Sequence, residues 1–228
     1  MRLNTPVTLA FKAVIALLPW PIKRRLLQGI FGYQLDPTAR IGLAWIYPRR
    51  LRMAAGAHIA SLSVAVNLDA LELGEQASIG RGTWITGFAS GTASRHFAHQ
   101  PERRSELQLG AHAAITKHHH IDATHRIAIG PFTTIAGYGS QLLSHSIDLQ
   151  HNRQHSEPIT IGAYCFVGTS CVILGGSVLP DHSVLGALSL LNKPHSESWS
   201  LYAGQPARRL KAIDPSAAYF SRSRGFVH

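Results

Sequence analysis

Cysteine is nearly absent from this sequence: Cys165 and Cys171 are the only two in 228 residues. A disulfide framework is therefore excluded, and a reducing, cytoplasmic setting is expected. Carboxylates are scarce as well, 12 against 22 lysines and arginines, which leaves a net charge of +10. Such a surface attracts anions, and nucleic acid, anionic lipid and a phosphate-bearing small molecule are the candidates. Zinc-finger spacing, an aromatic RNP-like strand and a helix with one basic face are all missing, so no nucleic-acid partner is expected. There is no long apolar run either. The stretch Val14–Leu18 ends at Pro19 and Pro21, far short of the ~20 residues of a crossing helix. Met1–Trp20, with Arg2 ahead of its apolar residues, imitates a secretory leader. No small-x-small cleavage site follows and Lys12 interrupts the stretch, so it reads as a retained segment.

What is present is a period of six. From Ile161, aliphatic residues recur at Val167, Ile173, Leu179, Leu185 and Leu191, and small residues follow four places later at Cys165, Cys171, Ser177, Ser183 and Ser189. Gly162, Gly168 and Gly186 follow aliphatics, where a turn is expected to need a backbone without Cβ. Six is not a helical period. Each hexapeptide reads as a short strand plus a corner, three to a coil, with coils stacked at the ~4.8 Å spacing of hydrogen-bonded strands. The aliphatics then fill a three-sided prism, and the cysteines are small interior residues. Less regular matches at Leu73, Ile79, Ile85, Leu109, Ile115, Ile121, Ile129 and Ile135, and weak ones at Leu35 and Ile41, extend the register upstream. The expected organisation is an all-β parallel solenoid over residues 35–194, an amphipathic helical segment over 1–34 and a C-terminal extension over 195–228. Two stretches lose the pattern, near 88–106 and 143–158, and are expected to be loop excursions where function concentrates.

The run from Ile161 to Lys193 and the closing Tyr202-Ala-Gly-Gln-Pro-Ala-Arg-Arg-Leu210 resemble the hexapeptide-repeat acyltransferases, the family of galactoside, maltose and exopolysaccharide O-acetyltransferases. That resemblance implies a left-handed parallel β-helix, a homotrimer with sites between neighbouring prisms, and acetyl-CoA as donor. The handedness comes from the resemblance alone, since parallel crossovers are ordinarily right-handed. It also implies a catalytic histidine in a loop at the end of a coil, which matches His145 in Gly139-Ser-Gln-Leu-Leu-Ser-His145. Carried over position by position, Thr169, Ala187, Asn192 and Lys193 match the groove that receives the coenzyme, and Arg208 and Lys211 match its phosphate end. Phe166 stands where the family commonly has tryptophan.

Acyl transfer to a hydroxyl needs a base and a donor for the developing oxyanion. His145 is the expected base, with Asp148 near enough in sequence to orient it. Asp148 and Arg153 in the polar stretch that follows, together with Gln141, His120 and Asp122 one coil earlier, are the expected acceptor-binding residues. The acceptor is expected to be a saccharide hydroxyl, in an exopolysaccharide or a lipid-linked sugar, with no metal required. The alternative is a zinc protein resembling the γ-class carbonic anhydrases, with His120 and His125 as ligands, or a non-catalytic scaffold. His119 and His125 fall on small-residue positions, so either the frame is distorted there or the register assigned to it is wrong. The N-terminal segment reads as two helices, Thr8–Leu18 and Ile22–Phe31, that cap the solenoid. Contact with the inner face of a membrane through Trp20, Lys23, Arg24 and Arg25 is a second expectation.

Overall fold

A computed structural model describes residues 6–227; Arg2 of the leader-like pattern and His228 lie outside them. Two helices come first, α1 (Pro6–Leu17) and α2 (Trp20–Phe31). Pro21 sits in the first turn of α2, where its missing N–H costs nothing, and Gly32 ends the helix with φ 67°. The helices cap the open end of a prism. Ile15 and Leu27 are buried in the common core, and the Tyr47 hydroxyl donates to the Lys12 carbonyl at 2.6 Å. Two residues expected at a membrane surface face inward instead. Trp20 packs against the core. The Lys23 ammonium is buried, donates to the Ala16 and Gly42 carbonyls at 3.2 and 2.8 Å, and is pushed down to about 8 by desolvation.

Beyond the cap the chain winds through three parallel sheets of short strands, one strand per face in each coil. The first and third faces have seven strands each; the second has nine, because Ser200–Gly204 continues it and Ala207–Ala212 folds back antiparallel. One inward column on the third face runs Ile46, Ala65, Ile85, Ile121, Leu142, Ile173, Leu191, all at most 2% exposed. The small-residue column Ala113, Thr133, Cys165, Ser183 is wholly buried. Both cysteines lie there or in the matching column, and burial raises both thiols, Cys165 to about 12. A buried thiol held protonated is a poor nucleophile.

The register differs from the sequence reading in two places. Gln141–Leu143 is a strand of the third face with Leu142 fully buried, so the second excursion begins after Ser144. Gly162, Gly168 and Gly186 do not adopt positive φ. A Cβ on Gly162 would lie 2.5 Å from the Asp181 nitrogen and one on Gly168 2.6 Å from the Ala187 nitrogen, so close stacking of coils demands these two glycines. The left-handed corner conformation goes to their neighbours Tyr164, Ser170, His182 and Leu188.

One corner carries a ladder of rings: His112, Phe132, Tyr164, His182 and Trp199 stack with centroids 4.2 to 5.4 Å apart. The C-terminal tail runs back over it. Phe220 meets Trp199 edge-on, and the Arg222 guanidinium lies 3.9 Å from the Tyr219 ring and 5.6 Å from that of Tyr164. Phe166 also meets Tyr219 edge-on and stays 36% exposed.

Candidate active site

The third face delivers its strand ends to the corner where both excursions leave the prism. Asp122 closes the strand His120–Asp122 and points outward, because Ile121 between them points in. One coil later comes Ser144, fully buried. Its N–H and hydroxyl both donate to the Asp122 carbonyl at 3.0 and 2.6 Å, its oxygen accepts the His125 N–H, and its own carbonyl accepts the Glu157 N–H as the chain returns. Ser144 thereby fixes where the next residue, His145, emerges. The excursion itself is an antiparallel hairpin, His145–Asp148 with Arg153–Ser156.

The His145 Nδ1 lies 3.5 Å from the Asp122 carboxylate, and Nε2 is hydrogen-bonded to the Gln154 side-chain amide across the hairpin. The Gln154 side-chain oxygen is an acceptor, so Nε2–H donates to it in this arrangement. With Gln154 displaced, the carboxylate beside Nδ1 favours the tautomer with its proton there and the lone pair on Nε2. The carboxylate beside His145 is Asp122, whereas Asp148 pairs elsewhere. Asp148 is occupied at the other end of the hairpin by His151 at 2.8 Å and Arg153 at 3.1 Å. Desolvation is the largest single influence and opposes them, but the hydrogen bonds from His151 and Arg153 together hold its carboxyl at about 2. Asp148 and Arg153 do not line the pocket around His145.

That pocket, about 350 Å³, is walled by Phe88, His96 and Phe97 from the first excursion and by Thr86, Asp122, Thr124, His145 and Gln154. Phe97 meets the His145 ring edge-on at 5.5 Å. A few polar side chains hold the excursion in place. Asp69 accepts the N–H groups of Ser90 and Ser105 and pairs with Arg49 at 3.0 Å. Arg103 is buried, stacks 4.4 Å from the Phe97 ring and donates to the Phe88 and Thr124 carbonyls. Gln100 bonds the Ser156 backbone at 2.8 and 3.2 Å, tying one excursion to the other. Sequence reading flagged the segment but named none of Phe88, His96, Phe97 or Gln154. The available signal was an aromatic pair within a stretch otherwise polar.

His120 and Gln141 are direct neighbours across two strands and line a second pocket of about 220 Å³ with Trp84 and His119. His119 takes the small-residue position without distorting the frame. Its Nδ1 accepts the Ser140 N–H at 3.2 Å, so the proton sits on Nε2, 3.0 Å from the Thr116 hydroxyl, and desolvation pushes it down to about 4. Among the described residues no group of three or more His, Cys, Asp or Glu side chains is arranged to hold a metal ion.

Of the six residues matched to a coenzyme groove, four flank the third face near its far end and two lie on the antiparallel strand that extends the second. Thr169 and Ala187 stack on the corner that enters it; Asn192 and Lys193 follow its last strand, Leu190–Leu191. Arg208 and Lys211 are exposed on Ala207–Ala212, opposite Ala203 and Leu201. Lys193 lines a pocket of about 350 Å³ with His195, Glu197 and Arg209. Arg209 pairs with Glu197 at 3.0 Å.

Neither protein-family models nor curated proteins match this chain. Among solved structures, a hexapeptide-repeat-containing acetyltransferase of Vibrio cholerae superposes with TM-score 0.52 at 18% identity, over 90% of this chain and 88% of that one. The two share a fold, the left-handed parallel β-helix. The same hexapeptide-repeat fold aligns with the N-acyltransferase AntD of Bacillus cereus, solved with dTDP and coenzyme A, at TM-score 0.54 and 13% identity over 87% of this chain and 93% of AntD.

Proposed function

We propose that this protein is an acetyl-CoA-dependent acyltransferase, acting in the cytoplasm on a saccharide hydroxyl with His145 as general base. The observation that carries the reading is the His145–Asp122 pair at the mouth of an aromatic-walled pocket on a hexapeptide prism. His145 Nε2 takes the hydroxyl proton as the oxygen attacks the thioester carbonyl. Collapse of the tetrahedral adduct breaks the C–S bond, and the imidazolium returns the proton to the departing thiolate. Asp122 holds the ring and offsets its positive charge. Gln154, already bonded to Nε2, is displaced by or hands over to the acceptor hydroxyl, and Phe88 and Phe97 present ring faces and edges suited to the apolar side of a sugar.

Small side chains at Thr169 and Ala187 leave the backbone of their corner open to a pantetheine arm, while exposed Lys193, Arg208 and Lys211 supply cations for phosphates. Asn192 completes that set, and His120 and Gln141 extend the acceptor surface along the third face. Exposed Leu62, Tyr138 and Leu188 on the entering corner, and Trp84 on the face, are suited to packing between prisms of a homotrimer.

The test is thiol release from acetyl-CoA with a panel of saccharides, amino sugars included. His145→Ala is expected to lower the rate about 10³-fold, with coenzyme A still raising the melting temperature. An undiminished rate would sink the assignment of the base, and activity confined to amino sugars would make the reaction N-acylation.

A further inference from the structure

α1 is built inside out. Its two polar side chains, Thr8 and Lys12, are buried, while Val7, Leu9, Phe11, Val14 and Leu17 are 39 to 79% exposed. Lys12 lies 5.0 Å over the Tyr47 ring, so the only charge of the helix is folded away from the outer surface. α2 continues the exposed apolar surface with Ile22 and Ile30 and places exposed Arg25 three residues after Ile22, on the same side. No helix among the described residues is long and apolar enough to cross a membrane.

Charge decides what covers this face. Met1 to Leu35 contains no carboxylate, and the first acid is Asp36. Lys12 and Lys23 are buried, Arg24 bonds Gln28 and the Pro37 carbonyl, and Arg25 is the exposed cation on this face. Isologous pairing of two copies would bring Arg25 to a face that offers it no carboxylate. An anionic lipid surface complements this face, because its headgroups meet arginine while its acyl boundary receives the apolar row.

We infer that the outward face of α1, with Ile22 and Arg25 of α2, docks this protein on an anionic bilayer. The cap then rests on the lipid, and the prism projects from it. His145 leaves the prism four coils beyond the first, roughly 20 Å away at the stacking distance of strands. If the proposed activity holds, an acceptor carried on a lipid lies within range of the pocket.

Docking is tested without reference to catalysis. The full-length protein is sedimented with vesicles of phosphatidylcholine and phosphatidylglycerol in equal parts, and with phosphatidylcholine alone. Wild type is expected to bind the mixed vesicles at least about tenfold more strongly. The Phe11→Glu, Val14→Glu double variant loses at least about tenfold of that binding, and Arg25→Glu reduces the preference for the anionic vesicles. All three side chains are exposed, so an unchanged melting temperature confirms that these proteins fold. Wild type left in the supernatant, or a double variant that binds as wild type does, overturns the inference. So does a double variant whose only change is a smaller assembly in sedimentation velocity, which would assign the face to a second copy.

Discussion

The wall of the prism and the two excursions that leave it are held by different kinds of contact. In the wall, coil stacks on coil through backbone hydrogen bonds, and each aliphatic meets the one below, as in the column from Ile46 to Leu191. Apart from the close approaches at Gly162 and Gly168, the same contact recurs coil after coil. In the excursions, single polar residues carry the load: Asp69 at the neck of the first, Gln100 between the two, Arg103 beneath Phe97, Ser144 at the exit of the second. The stable scaffold is therefore redundant, and the pocket mounted on it is not. Such an arrangement lets a rigid repeat support a variable site.

The comparison can be broken first on the side of the wall. Ile173 is fully buried in the third face, and Ile173→Ala is expected to cost about 3–4 kcal/mol, read as a fall in the global midpoint of chemical unfolding. A loss below about 1 kcal/mol would mean that the column tolerates cavities and that the coils do not unfold together.

Arg103→Ala attacks the excursion. It removes the donor to the Phe88 and Thr124 carbonyls and the cation stacked on Phe97. The expected cost is about 2–3 kcal/mol, confined to the loop. Amide exchange should accelerate between residues 88 and 105 while the wall amides near Ile161 and Ile173 stay protected. A matching drop in the global midpoint would show that loop and wall are one cooperative unit.

The same contrast explains what the sequence disclosed. Spacing by six exposes any element whose contacts repeat with the chain, so the prism, its cysteines and the location of both excursions were legible. The strand at Gln141–Leu143 was missed because two adjacent leucines blur which one points inward. Recognising it would have stacked Asp122 beside Leu143, two residues before His145, and identified the orienting carboxylate. The residues that hold the loops were not legible, because Gln100 meets Ser156 across 56 positions and Ser105 meets Asp69 across 36. No period links such pairs. The glycines were found for the wrong reason, since approach between coils is invisible in a single turn.

His119 sharpens the comparison from inside the wall, as an imidazole in a column of small side chains that includes Ser63, Thr83, Ser140, Cys171 and Ser189. Burial against Thr116 and Ser140, with His118 beside it, lowers it from 6.5 to about 4. The unfolded chain binds the proton first as pH falls. Stability contributed by the neutral form is thus complete above about 6.5 and is lost progressively as pH drops toward 4. The loss is on the order of 2 kcal/mol. Unfolding midpoints measured between pH 7 and 4 should decline less steeply in His119→Ser, which restores the residue type of the column; equal slopes would place the acid sensitivity elsewhere.

The smallest effect is expected at Asp148. Its carboxylate is engaged by His151 and Arg153 on an exposed hairpin and does not line the pocket, and exposed ion pairs of this kind contribute little to stability. Asp148→Asn should therefore leave transfer within about twofold of wild type. Asp122→Asn, by contrast, removes the charge beside Nδ1 and leaves a neutral amide there, so it is expected to slow transfer about 10- to 100-fold. If Asp148→Asn were the more damaging of the two, the hairpin would have to close over the pocket during the reaction and bring Asp148 to His145 in place of Asp122.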